Sequence, residues 1–359
     1  MPARGRHSNT PALQHSLSSM HHLEDGNTSA LAFMMDGTIF VLTKYAIANK
    51  LEKIVINAKK YETQEVKMLQ GSFVALVTPF KNGGIDWTAL EALIEFQINN
   101  GTHGLVLLGT TGETAGLASD EKDALLRFAF KKIAGRLPVI VGTGTNNLHH
   151  TLASTQRAKE LGADYALVLT PYYIKPTQQG MFEFFSAVAS KVDIPIVMYN
   201  IPGRASVNMT AATTVKLAKA HKNIVGIKEA STNLIQATQI IRDAPEGFTL
   251  MSGEDGLNLP LMSVGAKGTI SVTANIVPKL MSEHMESCLK GDYDTARQQH
   301  LTLAKLNETL FIETSPIPAK EALHMMGLIG LEFRNPMCPL QDANREILRA
   351  CLKEYKIIN

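Results

Sequence analysis

Ile224-Val225-Gly226-Ile227-Lys228-Glu229 is a short apolar run, rich in β-branched residues, and reads as a strand buried in a parallel sheet. Runs of the same kind recur from Phe73 onward, at 73–77, 104–108, 138–141, 165–169, 195–199, 224–228, 248–251 and 269–272. Each is followed by a polar turn and an amphipathic segment of helix length. Asp86, Ser119, Asn147 and either Asn208 or Thr210 stand where helix caps are expected. Eight parallel strands alternating with helices imply a closed (β/α)8 TIM barrel, because right-handed crossovers wind the helices around the outside. The rival is a doubly wound open sheet. It calls for a Gly-rich phosphate loop after the first strand, where this chain has Thr78-Pro79-Phe80.

After the eighth run the pattern turns wholly helical, at about 278–290, 293–311, 316–326 and 342–355. Pro278, Asp292, Pro316 and the stretch Pro336 to Pro339 mark the starts. The barrel is therefore assigned to residues 68–290 and a C-terminal helical segment to 291–359. Residues 1–67 differ in composition and are expected to be an N-terminal extension, disordered or weakly structured. A strand over 37–43 and a helix over 47–60 are the only elements suggested there. His15, His21 and His22 lie in what reads as a tail rather than a metal site. The first 23 residues hold no Asp or Glu and include Arg4 and Arg6. This hints at an organellar targeting peptide, but no amphipathic helix accompanies it, and a cytoplasmic location is expected. Alternatively, translation begins at Met68, with the upstream residues an extension or a misassigned start.

Bulk composition narrows the function. The chain has 359 residues, with 35 basic against 33 acidic side chains and a formal net charge of +2. It shows no basic stripe interleaved with aromatics, so neither nucleic acid nor an anionic membrane is an expected partner. The three cysteines, Cys288, Cys338 and Cys351, lack Cys-x-x-Cys spacing, against a disulfide framework or a zinc cluster. No apolar run approaches the roughly 20 residues that span a bilayer. A soluble protein acting on small molecules is the reading that remains.

In such a barrel the working groups collect at the carboxyl ends of the strands. There the sequence places Gly109-Thr110-Thr111-Gly112-Glu113, Thr170-Pro171-Tyr172-Tyr173, Tyr199-Asn200-Ile201-Pro202-Gly203-Arg204, Lys228, Ser252-Gly253-Glu254 and Ile270-Ser271-Val272-Thr273. Burial disfavours the charged form of the Lys228 amine, and a neutral amine can condense with a ketone or aldehyde to a Schiff base. Alternatively Lys228 only closes a strand and pairs with Glu229. Schiff-base chemistry needs a proton shuttle, for which Tyr199 is the best candidate. A Gly-bracketed Thr-Thr turn offers N–H and hydroxyl donors to a small carboxylate, and Arg204 offers a planar fork to a second one. Glu113 and Glu254 are read as structural acceptors of backbone hydrogen bonds.

These motifs, with Gly226-Ile227-Lys228-Glu229 and Ile270-Ser-Val-Thr-Ala-Asn275, resemble those of the dihydrodipicolinate synthase family of pyruvate-dependent class I aldolases, from Met68 to about Ile358. The resemblance implies a Schiff base of pyruvate on Lys228, whose enamine attacks L-aspartate semialdehyde on the route to lysine and diaminopimelate. It implies that Tyr199 is the general acid and base, with Thr110 and Tyr173 completing its relay. Thr111 and Ile270 fall at pyruvate-binding positions and Arg204 at the semialdehyde carboxylate. Tyr173 would act on a neighbouring subunit's site, within a homotetramer of paired dimers. No metal or organic cofactor is expected. Sister families, N-acetylneuraminate lyase and the keto-deoxy sugar acid aldolases, commonly replace the first Thr and lack the Arg, so Thr110 and Arg204 favour the synthase. A barrel kept as a silent binding protein would be expected to lose Lys228 or Tyr199. The family's lysine-inhibited members usually carry a histidine and a glutamate where this chain has Ser119 and His150, with Asn146 and Tyr172 retained. Weak feedback by lysine is therefore expected.

Overall fold

The computed structural model describes residues 69–359 and, before them, three strands. The chain divides into two compact units, Met1–Lys67 and Met68–Asn359. In the first, His21–Asp25, Thr28–Met35 and Thr38–Thr43 form an antiparallel sheet in sequence order. The helix suggested over 47–60 lies outside the described residues.

In the second unit eight parallel strands close into a barrel in sequence order. They are β1 (Gly71–Ala75), β2 (Gly104–Leu107), β3 (Val139–Gly142), β4 (Tyr165–Leu169), β5 (Ile196–Asn200), β6 (Ile224–Glu229), β7 (Thr249–Ser252) and β8 (Gly268–Ser271). Around them run α1 (Trp87–Asn99), α2 (Ser119–Ile133), α3 (Leu148–Leu161), α4 (Gln178–Lys191), the single turn α5 (Pro202–Ala205), α6 (Ala211–Ala220), α7 (Leu234–Asp243), α8 (Asn258–Ser263) and α9 (Pro278–Lys290). Three further helices follow: α10 (Tyr293–Thr309), α11 (Ile317–Met325) and α12 (Asp342–Glu354).

The strands read as unbroken apolar runs because both of their faces are covered. Phe73, Ala75, Val106, Ile140, Leu167, Val197, Met251 and Ile270 point inward and fill the barrel. Ile196, Met198, Ile227 and Leu250 point outward against the helices. Caps at the helix starts follow the sequence signals. The Asp86 carboxylate accepts from the Ala89 N–H, Asn147 Oδ1 from that of His150, Thr210 Oγ1 from that of Thr213 and Asp292 from that of Thr295. Ser119 departs from expectation. It is the first helical residue rather than the cap, since Glu121 reaches back to accept from the Ala118 N–H at 3.0 Å.

The C-terminal helices pack into the same core as the barrel, through Leu303, Leu306, Leu323, Leu348 and Leu352. Their firmest tie is polar. Lys320 of α11 and Glu113, which follows the Thr-Thr turn, are 0 % and 2 % exposed at their side chains and meet at 2.5 Å. The Lys320 ammonium also donates to the Glu332 carbonyl at 2.7 Å and lies 4.3 Å from the Phe80 ring centre. The other Glu113 oxygen accepts from the Arg334 N–H at 2.9 Å. Burial pushes the Lys320 ammonium down from its ordinary pKa, and the Glu113 carboxylate opposes that shift. A pair this deep contributes little net stability over an apolar equivalent, but losing one partner strands a buried charge at about 3–5 kcal/mol. Lys320→Met should therefore lower the urea unfolding midpoint sharply, and Lys320→Met with Glu113→Gln should recover the larger part. An unchanged midpoint in the single variant would remove this tie from the fold.

Candidate active site

Tyr199 and Lys228 stand opposite each other on adjacent strands β5 and β6. Both face the barrel interior, 5 % and 6 % exposed, and the lysine Nζ lies 4.5 Å from the tyrosine ring centre. Glu229, the next residue, takes the opposite face because successive strand side chains alternate. Its carboxylate accepts from Asn200, Gln236 and the Ser231 N–H. The alternative that Lys228 merely pairs with Glu229 is thus excluded by the pleat. Room for the lysine is made by Gly253 after β7. A Cβ there would sit 3.1 Å from Lys228 Cε and 2.7 Å from the Ala230 Cβ, too close for the latter without movement.

The Thr-Thr turn is held from several sides. The Gly112 N–H donates to the Gly109 carbonyl, the Glu113 N–H donates to that of Thr110, and the Thr78 hydroxyl donates to the Gly112 carbonyl at 2.7 Å. Glu113 closes the turn in the left-handed region, φ 51°, where its ion pair with Lys320 keeps it. The reading of Glu113 as structural agrees with this setting. Thr111 is 4 % exposed and Ile270 2 % exposed, the latter on the inner wall. Glu254 is half-buried, and burial followed by the neighbouring Asp255 charge pushes its carboxyl up.

A cavity of about 760 Å³ opens beside Tyr199 and is also lined by Thr110, Leu167, Tyr172, Ile201 and Arg204. Lys228, Thr111 and Ile270 are not on its wall, and Tyr199 connects the two regions through its contact with Lys228. Arg204 sits on α5, and one of its terminal nitrogens donates to the Ser315 carbonyl at 2.9 Å. Tyr173 stands apart from all of these. It is 86 % exposed, with φ 72°, and does not line the cavity. The cavity continues past Ser119, Lys122, His150 and Arg157 to Arg334, Pro336 and Met337 of the C-terminal segment. That contribution from 334–337, and the anchoring by Ser315 and Lys320, were not anticipated. No local pattern announces a carbonyl or ammonium that meets its partner more than a hundred residues away. Among the described residues no cluster of His, Cys, Asp and Glu is arranged to hold a metal ion, and no helix is long and apolar enough to cross a membrane.

Known proteins similar to this chain cover the barrel and its C-terminal helices. A 4-hydroxy-tetrahydrodipicolinate synthase of Hydrogenobaculum sp. is 46 % identical over 291 residues, spanning 81 % of this chain and 100 % of that protein. The crystal structure of dihydrodipicolinate synthase from Aquifex aeolicus superposes with a TM-score of 0.80 at 46 % identity, covering 80 % of this chain and 99 % of the other. The chloride-inhibited dihydrodipicolinate synthase of Acinetobacter baumannii, solved in complex with pyruvate, superposes with a TM-score of 0.79 at 43 % identity, over 81 % of this chain and 100 % of the other. The sequence profile of the Dihydrodipicolinate synthetase family matches residues 68–355, and the chain belongs to that family.

Proposed function

We propose that this protein is a 4-hydroxy-tetrahydrodipicolinate synthase, a lyase that condenses pyruvate with L-aspartate semialdehyde through a Schiff base on Lys228. The observation that carries the reading is the buried Lys228 amine 4.5 Å from the Tyr199 ring inside the barrel. Attack of the amine on the pyruvate ketone gives a carbinolamine. Loss of water then leaves an iminium, and a proton leaving the adjacent methyl carbon gives the enamine. Its carbon attacks the semialdehyde aldehyde and forms the new carbon–carbon bond. Tyr199 moves the protons of carbinolamine formation and breakdown, and Thr110, on the cavity wall, continues the relay. Thr111 and Ile270 hold pyruvate. Arg204, which lines the same cavity, receives the semialdehyde carboxylate.

Tyr173 completes the relay of a neighbouring protomer. Its exposure, with Ile174 at 59 % and Tyr172 at 38 %, supports this reading, because a projecting apolar loop is a contact surface. Leu234 and Ile235, 37 % and 73 % exposed on α7, offer a second apolar stretch and suit a dimer of dimers. The three cysteines are free, which suits a reducing, cytoplasmic compartment.

Three measurements test these points. Pyruvate with borohydride should leave a stable adduct on Lys228, absent in Lys228→Ala, and turnover should favour aspartate semialdehyde over sugar aldehydes. An adduct with sugar aldehydes preferred would assign the barrel to a sister aldolase instead. Sedimentation should find a tetramer, and a monomer with full activity would remove Tyr173 from the relay. Lysine should inhibit only weakly. The cavity presents Lys122 and His150 beside Ser119, and its carboxylates Asp123 and Glu113 are already paired with Arg127 and Arg157 and with Lys320 rather than free for the effector's ammonium, so inhibition at low lysine concentration would overturn this.

A further inference from the structure

Behind the Tyr199 and Lys228 pair, on the outer face of the barrel, lies a second pair one residue further along each strand. Asn200 faces Glu229 at the last paired step of β5 and β6. Both are buried, at 0 % and 3 %. The Asn200 amide donates to both Glu229 oxygens at 3.1 Å, Gln236 Nε2 donates to Oε2 at 3.1 Å, and the Ser231 N–H donates to Oε1 at 2.7 Å. The other end of the Asn200 amide is fixed as well, since its oxygen accepts from the Met209 N–H at 3.0 Å. Among the described residues no salt bridge reaches Glu229, so this carboxylate is held by neutral donors alone. A buried charge without a counter-ion is a costly way to join two strands that already share a backbone ladder.

The ladder itself shows what the pair adds. The β5 and β6 register is irregular between Ile196 and Val197, so main-chain pairing is not uniform along the two strands. Beyond Asn200 and Glu229 the pairing ends, and the next backbone bond runs from the Ala230 N–H to the Asn200 carbonyl. The four steps from Val197 and Gly226 to Asn200 and Glu229 are regular, so the side-chain pair locks the last step of the ladder, directly beside Tyr199 and Lys228. A misplacement of about 1 Å at a proton-transfer pair can cost on the order of a hundredfold in rate.

We infer that Asn200 and Glu229 are positioning residues, which pin Tyr199 to Lys228 from outside the barrel and so set the rate of Schiff-base formation. This rests on the proposed function. Glu229→Gln turns an amide donor toward the Asn200 donor, and Asn200→Asp sets two carboxylates against each other. Asn200→Asp with Glu229→Gln exchanges donor and acceptor, and the match is restored once the neighbouring Asn208 and Gln236 amides, which bond Asn200 and Glu229, turn over. The experiment follows the borohydride-trapped pyruvate adduct over a single turnover, with the thermal midpoint measured alongside. Each single variant should form the adduct about tenfold more slowly or worse, with the pyruvate KM changed by less than about threefold, and the double variant should regain the larger part of the rate. Adduct formation at the wild-type rate in either single variant overturns the inference. So does a double variant that regains the thermal midpoint but not the rate, which would mean that the restored network does not set the rate. Where the single variants do not fold, the double variant decides alone, a rate near wild type supporting the inference and a slow rate overturning it. A wild-type protein that traps no pyruvate at all overturns the functional reading instead.

Discussion

Carrying a lysine amine into the packed interior of a closed barrel is the constraint from which the rest of the site follows. An ammonium loses its hydration there, so its surroundings matter. The chain supplies a tyrosine face at 4.5 Å and a glycine where any side chain would crowd the lysine stem. The carboxylate nearest in sequence is turned to the opposite side of the strand and occupied by amides. Lys228 thus forms no salt bridge with Glu229.

The two buried lysines of this unit make an instructive contrast. Lys320 is as deeply enclosed as Lys228 but meets a carboxylate, a carbonyl and two aromatic rings. Its surroundings hold the charged form in place, which suits an anchor. The surroundings of Lys228 are chiefly apolar, with Tyr199, Ile270 and Met251 lining the same interior. Burial alone therefore does not identify a reactive amine. What distinguishes the two is contact: Glu113 meets Lys320 directly, whereas Glu254 acts on Lys228 without forming an ion pair.

Much of this was legible in the sequence. Eight β-branched runs marked the strands to within two residues, because a strand covered on both faces admits little else. Thr110 and Arg204 were expected in the turns after β2 and β5, and Tyr199 and Lys228 at the carboxyl ends of β5 and β6, and that is where they lie. The side-chain pleat could have settled the Lys228 and Glu229 question without coordinates, since adjacent strand residues cannot share a face. Other features were beyond reach. The partners of Glu113 and Arg204 lie 207 and 111 residues away, and only the folded chain brings them near. The exposure of Tyr173 likewise has no local signature, because a Tyr-Tyr turn reads the same whether it covers its own site or projects from it.

Arg204 is held by a carbonyl at Ser315, and the Thr-Thr turn ends on a residue gripped by Lys320. The cavity is finished by Arg334, Pro336 and Met337. The last helices are consequently not a dispensable appendage to a self-sufficient barrel. In genetic terms, a nonsense or frameshift lesion falling between residues 271 and 315 would act as an active-site lesion although every reactive side chain were still encoded.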